Sequence, residues 1–162
     1  MPVPDKVFLS TPSDTYTSAI GAIGEVREYI HPTLGKQMYR MVKNSTGSSI
    51  AANLAVSFSS SGTSGSSETV VLSGDADPSV KVAGITQNAI PDGHYGWVVC
   101  AGQCTATADA AVDISTLDTV ITKSAGEVDD TAISGKEHCI IGVFMADVAG
   151  AGTCTIRLQG LL

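Results

Sequence analysis

Charge is sparse in this chain. Asp, Glu, Lys and Arg together make up 15% of the 162 residues, well below the quarter usual for a globular domain. The cations are fewest: nine Lys and Arg against sixteen Asp and Glu give a net charge of −7. A chain this acidic, with no cluster of basic residues, repels phosphate backbones and anionic bilayers, so neither nucleic acid nor a membrane surface is an expected partner. No apolar stretch reaches the roughly 18 residues that a transmembrane helix requires. Aromatics are scarce at 5%, and Trp97 is the only tryptophan. The opening Met1-Pro2-Val3-Pro4-Asp5-Lys6 has no basic stretch followed by an apolar run, so a secretory signal is not expected. Synthesis in a reducing cytosol follows, with Cys100, Cys104, Cys139 and Cys154 kept as small buried thiols.

What is present is a large share of Ser, Thr, Ala and Gly around strand-sized apolar clusters. Few charges and many small residues favour short strands and tight turns over long solvated helices. The length suits one domain with an arm. Residues 1–13 hold Pro2, Pro4 and Pro12 around Val7-Phe8-Leu9 and read as an extended arm with one apolar patch. A short helix over Asp14–Ile23, capped by Ser13 or Asp14 and ended by Gly21 and Gly24, completes an N-terminal segment at 1–24.

From residue 25 to 162 the period is two. Glu25–Ile30 and Gln37–Lys43 are expected strands joined across His31-Pro32-Thr33-Leu34-Gly35. Leu54, Val56 and Phe58 alternate with Ala55 and Ser57. The Ser/Gly tract at 59–67 reads as a flexible loop. Further strands are expected at Thr69–Ser73, Val80–Ile85, Tyr95–Ala101, a Cys104–Ala108 alternation, Val120–Ile121, a buried Cys139–Ala146 run, and Cys154–Leu158. Turn signals every eight to twelve residues predict an all-β fold, a compact β-sandwich or barrel.

Each reactive constellation has a plainer reading. Gly62-Thr63-Ser64-Gly65 lacks the spacing of a nucleophile elbow and lies in the flexible tract. Cys100 and Cys104 are expected to flank the turn Ala101-Gly102-Gln103, open to bridging by an oxidant. No second close pair completes a zinc set, with Cys139 beside His138 and Cys154 alone. Gly74-Asp75-Ala76-Asp77-Pro78 starts like a calcium loop but has Pro78 and no glutamate at the twelfth place, and Asp129-Asp130 reads as another acidic turn. His94 follows the hairpin signal Asp92-Gly93, and neither it, His31 nor His138 has an evident acid–base partner. Asn44-Ser45-Thr46 matches a glycosylation sequon but reads as a turn. Trp97 beside Tyr95 reads as core, the sharper alternative being an exposed sugar-binding platform. Catalytic residues, metal ligands and cofactors are therefore not expected.

Val82-Ala83-Gly84-Ile85-Thr86-Gln87, followed by Ile90 to Val99 with its Gly93-His94-Tyr95-Gly96-Trp97-Val98 run, resembles the pattern of small bacteriophage capsid decoration (cement) proteins. Gly24-Glu25-Val26, Tyr39–Val42 and Ser49-Ile50-Ala51-Ala52-Asn53-Leu54 resemble the opening hairpin and next strand of that family. Ile141-Gly142-Val143 and Gly152–Leu158 resemble its closing pair. The resemblance touches residues 21–158; the 59–67 tract and the four cysteines depart from it. It implies a virion protein made in the host bacterial cytoplasm and carried on the capsid exterior. Its partner would be the major capsid protein, and a homo-oligomer, a trimer by analogy, is implied. Gly84, Gly93, Tyr95, Gly96 and Trp97 carry over as fold-defining positions. An acidic subunit suits the outside of a DNA-filled shell. Prolines lower the ordering entropy of the arm, so Val3, Val7, Phe8 and Leu9 are expected to contact the capsid or a neighbouring subunit. The competing reading is a β-sandwich carbohydrate-binding or adhesin module of a phage tail or spike; an enzyme is a third.

Overall fold

The alternating stretches do form strands. A computed structural model describes residues 12–58, 69–72, 81–109, 113–130 and 140–160. In chain order the strands are β1 (Val26–His31), β2 (Gly35–Asn44), β3 (Ala55–Phe58), β4 (Thr69–Leu72), β5 (Val82–Thr86) and β6 (Tyr95–Ala108). They continue as β7 (Asp113–Ile114), β8 (Thr119–Thr122), β9 (Val128–Asp129), β10 (Gly142–Phe144), β11 (Val148–Ala149) and β12 (Gly152–Leu158).

The hydrogen-bond ladder closes on itself twice, and β6 belongs to both rings. The first ring runs β2-β4-β3-β5-β6 and back to β2; the second runs β6-β12-β10-β8-β9 and back to β6. A ring of five strands cannot alternate direction all the way round. Each ring therefore contains one parallel pairing, β2 with β4 and β6 with β9, among four antiparallel ones. Closure leaves these strands few open edges. β1 is added alongside β2 through a hairpin whose three-residue loop, Pro32-Thr33-Leu34, leads into Gly35 at φ +75°. His31 Nδ1 accepts from the backbone N–H groups of Thr33 and Leu34, each at 3.2 Å, which closes that turn. The barrel expectation holds, and the sandwich alternative falls away.

The long strand serves two rings because it contains a bulge. Tyr39 pairs with Val99 but Met38 pairs with Ala101, leaving Cys100 as the extra residue. Before the bulge the odd positions Trp97 and Val99 join the larger core; after it the even positions Cys104, Ala106 and Ala108 do. One residue of slip exchanges the faces, so both halves feed one core. Gly102, just past the bulge at φ +98°, lies so close to the Lys36 carbonyl that a Cβ has no place there. The larger core also takes Tyr39, Met41, Ile85, Phe144, Ile156 and Leu158. A smaller one takes Val42, Ile50, Val56, Ala83, Ile90 and Val98.

Three expectations need correction. Cys100 and Cys104 do not flank a turn: both lie on the single strand β6, and Gly102 within it pairs with Leu158 of β12. No helix forms over residues 14–23; Tyr16 makes an isolated β-bridge with Tyr95 instead, and the chain turns at Ala22–Glu25 with Gly24 at φ +80°. A ready-made edge on β6, together with two glycines, outweighs the helical propensity of ten residues. The run around β10 is not continuously buried, since Ile140 is exposed and Ile141 and Phe144 are not. The loop at 59–67 and residues 1–11 lie outside the described residues.

Candidate interaction surface

The described segment before β1 meets the body of the protein where β6 begins. Tyr16 N–H donates to the Tyr95 carbonyl at 2.9 Å and Tyr95 N–H returns a bond to Tyr16 at 2.8 Å. Beside this bridge lies a cleft of about 420 Å³ lined by Thr15, Tyr16, Thr17, Ser18, Ile20 and His94. Its one large apolar side chain, Ile20, is 46% exposed. The lining is hydroxyl-rich and holds no carboxylate, ammonium or guanidinium, a surface suited to contact rather than to chemistry.

The loops behind the cleft are held firmly. Asn44, fully buried at the end of β2, donates to the carbonyls of Ser48 at 2.8 Å and Ile90 at 2.7 Å, while its Oδ1 accepts from Thr46 N–H and Oγ1 at 2.9 Å each. Asp92 accepts from Gly47 N–H at 2.9 Å, tying the 44–48 turn to the 91–94 turn. The sequon asparagine thus works as a buried staple, and the Asp-Gly signal does enter β6 through a turn, with Gly93 at φ +72°.

Gly93, Tyr95, Gly96 and Trp97 lie at this end, at and just before the start of β6. Gly84, on β5, lies against the Val99 carbonyl with no room for a Cβ. A Cβ on Gly96 would come within 2.7 Å of Ile90 Cδ1. Lys43 Nζ stands 5.5 Å from the Tyr95 ring centroid. Trp97 is 3% exposed, and the Arg27 guanidinium covers its ring at 4.9 Å while bonding Glu25 at 3.0 Å. A ring so covered offers no sugar platform. Val3, Val7, Phe8 and Leu9 lie outside the described residues, as do Cys139, His138, Asp75 and Asp77.

The three described thiols, Cys100, Cys104 and Cys154, are buried. Burial pushes Cys100 and Cys154 up to about 11, and burial raises Cys104 further. Thiols held protonated are poor nucleophiles at neutral pH. Among the described residues no three His, Cys, Asp or Glu side chains converge in a metal-binding group. Two features escaped the sequence reading. Asp129, assigned to an acidic turn, is buried with Lys123 Nζ at 2.5 Å, and Asp109 stands 3.4 Å from the same ammonium. Arg40, placed like a solvent-facing residue between Tyr39 and Met41, is buried.

No protein-family model and no curated protein matches the sequence. Among solved structures, the fold is similar to the N-terminal base of the head fibre protein gp8.5 of bacteriophage phi29, with a TM-score of 0.52 at 12% identity. The match covers 76% of this chain and 94% of that one, so nearly the whole of the fibre base has a counterpart here.

Proposed function

We propose that this chain is a non-enzymatic structural protein of a phage virion, a barrel module carried on the outer surface of the head. The observation that carries the reading is the likeness in fold to a head fibre base, over 94% of that chain. At 12% identity the likeness is one of backbone fold. Two properties of the chain support it. A charge of −7 per copy is favourable outside a DNA-filled shell and unfavourable inside it. The described thiols Cys100, Cys104 and Cys154 are buried and held protonated, which makes them poor nucleophiles.

Within that reading the chain is a decoration protein, bound to the major capsid protein as a homotrimer and stabilising the head. The apolar arm residues Val3, Val7, Phe8 and Leu9, just upstream of the cleft at Tyr16, make the contact. Light scattering of the purified chain, with and without empty capsids of the phage that encodes it, tests this. A trimer that co-sediments with capsids, and loses binding when residues 1–12 are deleted, is expected. A monomer indifferent to capsids overturns the reading. Capsids that melt at the same temperature with and without bound chain would remove the stabilising role alone.

A further inference from the structure

The period of β2 sends Tyr39 and Met41 toward the larger core and Val42 toward the smaller one. Arg40 stands opposite Val98, another residue of the smaller core, and so shares that face. It is 8% exposed, and its guanidinium lies 5.3 Å from the centroid of the Phe58 ring. Other cations have carboxylates: Arg27 reaches Glu25 at 3.0 Å, Lys36 reaches Glu28 at 2.6 Å, and Lys123 reaches Asp129. Arg40 has neither an ion pair nor a side-chain hydrogen bond among the described residues, in a chain with sixteen acidic side chains to choose from.

A guanidinium offers five donors in a flat fork and keeps its charge, and here the fork reaches solvent with no protein partner among the described residues, so its donors are open to an anion. The Phe58 face attracts the cation but accepts no N–H in the plane of the fork. The nearby Cys100 thiol is not a counterion, because burial keeps it protonated and its Sγ donates to the Met38 carbonyl at 3.4 Å. An oxyanion presenting two oxygens along one edge fits these donors, since two parallel N–H···O bonds match the fork.

We propose that Arg40, backed by Phe58, is a binding site for a small oxyanion. Two sources share this chemistry: a carboxylate presented by a docked protein, and free phosphate or acetate. The site takes the anion through the fork, while the ring fixes the plane of the guanidinium.

The test is thermal unfolding of the full chain, titrated with sodium phosphate or sodium acetate against sodium chloride at constant ionic strength. In the wild type Tm rises saturably above the chloride control. Arg40→Lys keeps the charge but loses the fork, and its half-saturating concentration rises about tenfold, the equivalent of one charge-assisted hydrogen bond. Arg40→Gln shows no rise above chloride; should it fail to fold, Arg40→Lys carries the comparison. No rise in the wild type, or equal half-saturation in wild type and Arg40→Lys, overturns the site. Co-sedimentation with capsids in saturating phosphate, which rests on the proposed function, then separates the sources. Lost binding assigns the anion to a docked carboxylate, and unchanged binding assigns it to solution. A chain that binds no capsids in either buffer sinks the proposed function and leaves the titration standing.

Discussion

Tyr16 and Tyr95 exchange both backbone hydrogen bonds of an antiparallel pair, at 2.9 and 2.8 Å, so the segment before β1 is pinned at the first residue of the shared strand. Tyr16→Pro removes one of these donors and a ring packed on the larger core. It should lower stability by about 2–3 kcal/mol in urea unfolding, whereas deletion of residues 1–11, which spares the bridge, should leave the midpoint nearly unchanged. Equal losses in the two variants would mean that the arm, and not the bridge, anchors this end.

Gly84 and Gly93 look alike in sequence but are held by different physics. At Gly84 a Cβ collides with the Val99 carbonyl of β6, and backbone cannot yield as a side-chain tip can. At Gly93 nothing lies within 4 Å, and only the φ of +72° opposes a side chain. Gly84→Ala should therefore cost about 3 kcal/mol or more, and Gly93→Ala about 1 kcal/mol. Denaturant midpoints of the two variants measure this, and a reversed order would contradict the packing at Gly84.

Much of this fold is legible because one-sided burial writes a period of two into the chain. Cys154, Ile156 and Leu158 on β12 alternate with more exposed neighbours as they should, whereas β2 is buried on both faces from Gln37 to Val42. The hairpin at His31–Gly35 is announced by Pro32 and Gly35. The sequence reads β6 as two strands because the bulge at Cys100 exchanges its faces and Gly102 resembles a turn. The two-residue strands β7, β9 and β11 are too short to carry any period. The parallel pairings that close the rings join residues distant in sequence and leave no local mark. Arg40 was invisible for a related reason: on an alternating strand a charged residue reads as solvent-facing, and only the closed ladder supplies a second buried face.

Lys123 bridges Asp109 and Asp129 next to β9, and the bond to Asp129 holds its ammonium above the ordinary lysine range. A raised folded value means that the contribution is fully present below the unfolded lysine value, near 10.4, and is lost as pH rises through the folded one. Lys123→Gln should cost about 1–3 kcal/mol at neutral pH, at or below the cost of breaking a fully buried pair because the lysine side chain keeps 29% exposure. The difference between wild type and variant should shrink above pH 11. Urea titrations at pH 7 and pH 11.5 decide it, and a difference that grows with pH would reverse the assignment.

Trp97 separates the virion reading from a glycan-binding one. Its burial under Arg27 predicts blue-shifted emission and weak iodide quenching. Oligosaccharide titration should leave the emission unchanged. Saturable quenching by a glycan would move the function toward an adhesin.

The thiols offer a check on the core that needs no partner. Cys100, Cys104 and Cys154 are free and buried, the first and last pushed up to about 11 by burial and Cys104 pushed higher. In a Cys139→Ser background, a disulfide reagent at pH 8 should find no thiol in the native chain and three in urea. The same burial sets a pH trend. Above about pH 9 the unfolded chain releases thiol protons that the folded chain retains, so stability should fall as pH rises from 9 toward 11. Cys154→Ala should flatten part of that fall while costing some packing in the larger core. Reaction of Cys104 or Cys154 at pH 8 in the folded state would mean that the β6–β12 seam opens, because both lie on it.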